Sequence, residues 1–180
     1  SQGKPVSTSE DDLFLQKGDY FLIVSRIADY KKVDIAVDAF NKLGLPLVIA
    51  GDGPEKNKLK RKAKNNIKFL GNVFDNKLAE IYKNSLAFLM PQVEDFGIAA
   101  LEAMSFGKPV LAHREGGALE TVIEGETGEF FDYQTIEVLA DGVRRILDGI
   151  KEGKYDSAKI KKHAEKFSKE VFEEKIFNFL

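Results

Sequence analysis

Short, almost wholly apolar runs recur along the 180-residue chain, with room for a helix between each pair. Such runs are typical of strands buried on both faces of a parallel sheet. The clearest is 20–25 (YFLIVS), and the others are 47–50, 67–70, 87–90 and 110–112. Phe130 and Phe131 indicate a further strand at the edge of the sheet.

Helical patterns separate these runs, at 33–43, 56–64, 76–82, 97–106, 118–123 and 136–148, and from 157 to about 179. This alternation predicts an α/β fold with a doubly wound, Rossmann-like parallel sheet. The polar segment 1–18 is predicted to be a linker or lead-in, and 19–180 a single domain. Ligands of such sheets bind at the carboxyl ends of the strands, where most polar loops of this chain fall.

Composition narrows the possible partners. The formal net charge is −2, which gives no general case for binding nucleic acid or an acidic membrane. The sequence contains no cysteine, so disulfides and thiolate metal sites are excluded and a cytoplasmic location is compatible. No Asp-x-Asp pair or cluster of metal ligands is present, so we expect no bound metal.

The stretch 91–120 carries the strongest functional signal. Its helix is apolar on almost every face and has one charge, Glu102, which we expect to be buried and to need a partner or a ligand. Glu94 lies just before the helix start, and helix starts favour phosphate. Two carboxylates flanking an anion site suit a nucleotide sugar, although each could instead be a structural residue.

Other loops at the same edge add cations and glycines. Arg26 and Lys31 could clamp a diphosphate, or be ordinary charges at a helix entry. The turn 51–54 (GDGP) could admit a ligand or be a tight turn only. The basic segment 56–64 has no aromatic residues and is predicted to be a solvated helix. His113 could touch substrate, whereas His163 is predicted to be structural.

Taken together, these motifs resemble the C-terminal, nucleotide-sugar-binding domain of a family 4 glycosyltransferase of the GT-B fold. The order and spacing match from residue 20 to 131, and Phe167-Ser168 resembles the start of the family's closing helix. The matching residues are Ser25-Arg26 with Lys31, Gly51-Asp52-Gly53-Pro54, Phe69-Leu70-Gly71-x-Val73, Glu94-x(7)-Glu102, Gly107-x-Pro109-Val110 and Gly116-Gly117-x-x-Glu120.

The resemblance implies retaining, metal-independent transfer of a hexose, mannose slightly favoured, from a GDP or UDP sugar to a glycan or lipid-linked acceptor, with no cofactor. By position, Arg26 and Lys31 would bind the diphosphate, Glu94 the donor sugar, and Glu102 the ribose. The remaining donor-binding positions would be the amides of Phe96, Gly97 and Ile98, together with Gly51, Val73 and Lys77, the last two beside the base.

The family has two such domains with the active site between them, and these 180 residues supply one. We therefore expect the acceptor, and any membrane contact, to involve the other domain, and the chain alone to be inactive. The full-length enzyme would be cytoplasmic or peripheral at the inner face of the membrane. Two alternatives are a nucleotide-sugar epimerase or phosphorylase of the same fold and a flavodoxin-like regulatory domain. The second would need acidic residues where the chain has Arg26.

Overall fold

The predicted apolar runs pair into one parallel sheet in the order β3-β2-β1-β4-β5-β6. The computed structural model describes residues 9–167, and 1–8 and 168–180 lie outside this description. The strands are β1 Phe21–Val24, β2 Leu47–Ala50, β3 Ile67–Gly71, β4 Ala87–Met90, β5 Val110–His113 and β6 Gly128–Phe131. The doubly wound sheet is confirmed, and β6 lies at its edge as predicted.

The helices also follow the predicted order. They are α1 Glu10–Gln16, α2 Val33–Leu43, α3 Lys56–Lys62, α4 Asp75–Asn84, α5 Ile98–Ser105, α6 Ala118–Thr121, α7 Ile136–Lys151 and α8 Ser157–Glu165. The predicted continuation of α8 to about 179, and Ser168 of the closing-helix motif, lie outside the described residues. None of the helices between residues 9 and 167 is both long and apolar enough to cross a membrane.

The sheet is covered on both faces, as its continuous apolar strands require. Phe21 and Ile23 of β1 pack into one apolar cluster with α2, α3 and α7. Leu22, which points the opposite way, packs into a second cluster with α1, α4, α5 and α8. Because β1 contributes to both clusters and pairs with both β2 and β4, it lies at the centre of the fold.

The strand order places a topological switch point beside β1. The chain runs outward from β1 through β2 to β3, then returns to β4 on the other side of β1 and continues outward to β6. The connections after β1 and β4 therefore leave the sheet in opposite directions. A crevice opens between them at the carboxyl ends of the two strands, which is where ligands bind in such sheets.

Helix α1 was not predicted, since 1–18 was interpreted as a linker or lead-in. Ser9 and Asp12 form a reciprocal capping box, in which each side chain accepts a hydrogen bond from the other residue's backbone N–H. Leu15 is buried in the α4–α5 side of the core. A single apolar contact in an acidic segment is too weak a pattern to predict a helix, which explains the omission.

We predict that α1 contributes to the stability of the domain through Leu15. Leu15→Ala should lower the free energy of unfolding by about 2 kcal/mol or more, because this side chain is 3% exposed. Leu13→Ala, in the same helix but 53% exposed, is the matched control and should change it by less than about 0.5 kcal/mol. Urea denaturation of both variants checks this, and equal effects would show that α1 does not dock as described.

Candidate functional site

Two adjoining cavities open at the switch point, and we call them together the edge groove. The first has a volume of about 780 Å³ and lies between the loops after β1, β2 and β3. The second, of about 360 Å³, lies between the loop after β1 and the start of α5. Val24 and Ser25, at the end of β1, line both cavities. The edge groove therefore runs across the carboxyl ends of four neighbouring strands.

The loops after β1 and β2 are fastened to each other along the first cavity. The Ile27 N–H donates to the Asp52 carbonyl at 2.9 Å, and the Glu55 N–H donates to the Ile27 carbonyl at 3.0 Å. A Cβ atom on Gly53 would lie 2.3 Å from that same Ile27 oxygen. Gly51, at φ 138°, would place a Cβ 1.8 Å from the Ser25 oxygen. Both glycines are therefore required by the protein's own backbone, whatever the groove binds.

An ion pair bridges the second cavity. Lys31 ends a short 3-10 turn after β1, Glu94 follows β4, and the Lys31 Nζ contacts the Glu94 Oε1. The Gln92 amide donates to the same oxygen at 3.0 Å. The two charged side chains are only 18% and 28% exposed, so their charges are poorly screened by water. A cation and a carboxylate that were predicted to serve one ligand thus neutralise each other here.

The start of α5 faces the same cavity. Gly97 precedes the helix in the left-handed conformation, φ 62° and ψ 51°, and its carbonyl accepts the first helical hydrogen bond from Leu101. The N–H groups of the first turn have no partner within the helix, and they carry partial positive charge. Phe96, Gly97, Ile98 and Ala99 all line the cavity. The helix start therefore faces the cavity as predicted, and binding of an anion there stays a prediction.

Glu102 corrects one prediction, because its side chain is exposed and not buried. Helix α5 packs its Ala100, Leu101, Ala103 and Met104 face into the core, while Ile98 and Glu102 lie one turn apart on the outer face. The premise that Glu102 is buried, and so needs a protein partner or a ligand to offset that burial, is therefore wrong. Its proposed contact with ribose does not depend on burial and stays a prediction.

Glu102 does have a protein partner. The Tyr82 hydroxyl of α4 donates to the Glu102 Oε2 at 2.9 Å. Burial, and then the nearby carboxylate, raise the pKa of Tyr82 well above its usual value, so the phenol stays protonated and remains a donor. Tyr82 also stacks on Phe106, with ring centroids 5.7 Å apart. This contact holds the Glu102 carboxylate against α4, and Glu102 is not among the residues that line either cavity of the edge groove.

The remaining predicted residues divide into two groups. Arg26, Gly51 and Val73 line the first cavity, so the structure brings them together. Lys77 is not among the residues lining either cavity, and its Nζ lies 3.4 Å from the Asp12 carboxylate of α1. Its predicted contact with the base is therefore unsupported by the geometry and stays a prediction.

Two further features hold Glu94 in place. Sequence reasoning gave no role to Gln92, which is buried and whose Oε1 has no hydrogen-bond partner among residues 9–167. The signal that could have identified Gln92 is its position in the loop after β4, two residues before Glu94. The Gly117 N–H donates to the Glu94 carbonyl at 2.6 Å, and a Cβ on Gly117 would lie 2.2 Å from the Asp95 oxygen. The loop after β5 therefore braces the loop that carries Glu94.

The other candidates are satisfied within the protein. His113 is buried at the end of β5, with Nδ1 3.3 Å from the Phe131 carbonyl and Nε2 3.2 Å from the Glu115 carboxylate. Helix α3 buries Leu59, while Lys58 and Lys62 make surface ion pairs, which confirms the solvated basic helix. Within residues 9–167, no group of three or more His, Cys, Asp or Glu side chains is placed to hold a metal ion.

Comparison with known proteins identifies the family. The sequence model described as Glycosyl transferases group 1 matches residues 8–167. The chain belongs to this glycosyltransferase family. The family and the GT-B, Rossmann-like fold that the sequence motifs indicated are both confirmed.

The curated relatives that the chain matches are longer than the chain itself. The chain is 32% identical over 142 residues to a GDP-mannose-dependent alpha-(1-6)-phosphatidylinositol monomannoside mannosyltransferase of Mycobacterium tuberculosis, an alignment that covers 69% of this chain and 37% of that protein. It is 33% identical over 138 residues to the glycogen synthase of the same organism, covering 71% and 33%. The chain thus spans about a third of the length of the curated relatives it matches.

A solved structure agrees with these comparisons. Anabaena Alr3699/HepE in complex with UDP and glucose is similar with a TM-score of 0.70 and 25% identity, over 92% of this chain and 48% of that one. The matched region is therefore about half of that structure, which contains UDP and glucose.

We predict that the Lys31–Glu94 pair contributes measurable coupling energy. In a double-mutant cycle with Lys31→Met and Glu94→Gln, the interaction energy should be about 1 kcal/mol or more, because the pair is largely shielded from water. The exposed pair Lys42–Glu137, 3.6 Å apart, is the control and should give less than about 0.5 kcal/mol. Chemical denaturation of the four proteins in each cycle provides the values. Equal coupling in the two pairs would contradict the bridging geometry.

Proposed function

We propose that this chain is the donor-binding half of a retaining glycosyltransferase that moves a hexose from a nucleoside diphosphate sugar to a glycan or lipid-linked acceptor. The observation that carries the proposal is the edge groove itself, in which Arg26 lines the first cavity and Lys31 and the start of α5 line the adjoining second cavity. Arg26 and the helix start are sources of positive charge in adjoining cavities, and Lys31 adds a third once it leaves Glu94. A diphosphate is the ligand that such an arrangement favours.

The same groups would promote departure of the nucleoside diphosphate. Negative charge grows on the diphosphate as the bond to the sugar breaks, and fixed cations stabilise that charge in the transition state. Arg26 can bind two oxygens through its guanidinium, and Lys31 acts as a point charge. We infer that this chemistry proceeds without a metal, because side chains and helix N–H groups supply the charge that a metal supplies in other enzymes.

The Lys31–Glu94 ion pair implies an order in which contacts change during donor binding. A diphosphate entering the groove competes with Glu94 for the Lys31 ammonium. Once Lys31 turns to the diphosphate, the Glu94 carboxylate is released to accept hydrogen bonds from the hydroxyls of the donor sugar. Gln92 continues to donate to Glu94 and keeps it in position. Donor binding therefore exchanges an internal ion pair for two contacts with the ligand.

The relatives support a nucleoside diphosphate sugar as the donor, but they differ in the sugar and in the base. A mannosyltransferase named for GDP-mannose favours mannose and guanine, whereas the Anabaena structure contains UDP and glucose. Retention of configuration rests on the family resemblance. The chain covers about a third of its curated relatives, so we place the acceptor site on the part of the enzyme beyond these 180 residues. We place the enzyme in the cytoplasm or at the inner face of the membrane.

The first test separates diphosphate contacts from sugar contacts. GDP and UDP should bind in the presence of EDTA, and Lys31→Met should weaken both by about tenfold. Glu94→Gln should bind the bare diphosphates at least as tightly as the parent protein, because Lys31 loses its competing partner, but should bind GDP-mannose or UDP-glucose more weakly. Isothermal titration calorimetry measures each affinity.

Lys42→Met is the control, because neither Lys42 nor its partner Glu137 is among the residues that line the edge groove. Two results would contradict the proposal. One is binding that requires added Mg²⁺ or Mn²⁺, which would overturn metal independence. The other is weaker GDP binding by Glu94→Gln, which would overturn the exchange of partners. An epimerase would be revealed by inversion at the second carbon of a bound sugar nucleotide.

A second test assigns Glu102 to the ribose. Glu102→Gln should weaken GDP or UDP binding by about tenfold but leave inorganic pyrophosphate binding unchanged, because pyrophosphate has no ribose. Folding stability should change by less than about 0.5 kcal/mol, since Glu102 is exposed and glutamine still offers an oxygen to Tyr82. Melting temperature and affinity are measured on the same samples. A variant that melts early but binds GDP normally would make Glu102 a structural residue.

A further inference from the structure

A buried histidine of α8 has no part in the donor site described so far. His163 is 9% exposed, and its Nε2 lies 2.7 Å from the Thr121 carbonyl. Because a carbonyl can only accept a hydrogen bond, Nε2 carries the hydrogen and donates it. The other ring nitrogen, Nδ1, is buried and has no hydrogen-bond partner among residues 9–167. Within that part of the chain, the bond to Thr121 is therefore what the polar atoms of this side chain provide.

Thr121 is the last residue of α6, a helix of four residues. A helix this short is not stable alone, so contacts with the rest of the protein must fix its position. Ala118 and Val122 pack into the apolar core, but apolar attraction has no preferred direction. The hydrogen bond from His163 is directional, and it reaches one of the carbonyls that a helix end leaves without a partner. His163 therefore helps to fix where α6 ends.

The beginning of α6 contacts the loop that carries Glu94, residues 91–97, which we call the Glu94 loop. The Gly117 N–H, just before the helix, donates to the Glu94 carbonyl at 2.6 Å. A Cβ on Gly116 would lie 2.6 Å from that same oxygen. The two backbones are thus packed directly against each other. A displacement of α6 must either move the Glu94 loop or break this hydrogen bond.

A continuous series of hydrogen bonds joins the two ends of α6. The backbone N–H and the hydroxyl of Thr121 each lie 3.2 Å from the Gly117 carbonyl, to which both donate. The series therefore runs from His163 to Thr121, then to Gly117, and then to the backbone of Glu94. It ends at the residue whose carboxylate pairs with Lys31.

We propose that His163 is a positioning residue for Glu94 and acts through α6. This inference rests on the proposed function, in which Glu94 accepts hydrogen bonds from the hydroxyls of the donor sugar. Hydrogen bonds weaken steeply when their distance or angle is wrong, so a displaced Glu94 loop loses the contacts with the sugar. The contacts of Arg26 and Lys31 with the diphosphate come from a different loop, the one after β1, and do not depend on this series.

The first experiment measures how much the sugar adds to binding. The sugar gain is the ratio of the affinity for GDP-mannose to that for GDP, or for UDP-glucose to that for UDP, from calorimetry on the whole chain. His163→Leu should lower the sugar gain by about threefold or more, the effect of one ordinary hydrogen bond, and leave GDP and UDP binding unchanged. His163→Gln should restore the gain, because the glutamine amide supplies an N–H donor in place of Nε2.

Leu15→Ala is the control for a general loss of stability. Leu15 is buried in the core from α1 and takes no part in the series of hydrogen bonds, so this variant should keep the full sugar gain. An equal loss of sugar gain in Leu15→Ala and His163→Leu would overturn the proposal. So would a His163→Leu variant that loses affinity for GDP and GDP-mannose by the same factor.

A second measurement does not depend on any ligand. Hydrogen exchange followed by NMR reports on the Gly117 N–H, which donates to Glu94. In His163→Leu this amide should exchange about threefold faster or more, relative to the amides of β1, which report on global unfolding. In His163→Gln it should return to the rate of the parent protein, and in Leu15→Ala it should change no more than the β1 amides do.

The two measurements separate failure of the inference from failure of the proposed function. If the parent protein shows no sugar gain, the proposed role of Glu94 fails, and the Gly117 exchange rate alone then decides whether His163 holds the Glu94 loop. If the parent shows the gain and His163→Leu keeps it, the inference is refuted and the proposed function stands. An unchanged Gly117 exchange rate in His163→Leu would refute the inference as well.

Discussion

The position of β1 between β2 and β4 is the constraint on which the groove depends. The ladder of hydrogen bonds between β1 and β2 continues past the ends of both strands, through Ser25 to the Ala50 carbonyl and Ile27 to the Asp52 carbonyl, at 3.0 and 2.9 Å. This extension ties the loop after β1 to the β2 side and draws it away from β4. The gap that remains is where Lys31 meets Glu94, so the site results from how the central strand ends.

Much of this architecture was predictable, because strand and helix periods are local properties of the sequence. The bounds of α2, β2 and β4 in the structure are those the apolar pattern predicted. The exposure of Glu102 was not predictable in the same way. Composition indicates that α5 is apolar, but which face is covered depends on α8, more than 50 residues later. A helix in contact with the sheet on one side and α8 on another still has an outer face.

The partners of charged side chains were the least predictable part of the site. Lys31 and Glu94 are 63 residues apart, and Tyr82 and Glu102 are 20 apart, so neither contact follows from a local pattern. Sequence reasoning placed Lys31 and Glu94 at the same edge because both follow strands, but it assigned each directly to the ligand. The structure adds that they are partners of each other. A ligand for either residue must therefore offset the loss of that pair, which makes the two charges a single binding element.

Helix α5 joins the two edges of the domain. Gly97, just before the helix starts, lines the edge groove. Gly107, just beyond its end, packs against Ser157, the first residue of α8, because a Cβ on Gly107 would lie 1.9 Å from the Ser157 Oγ. Close packing of this kind leaves no space for one helix to slide without the other. The placement of the N–H groups at the start of α5 therefore depends on how α8 packs against the other end of the helix.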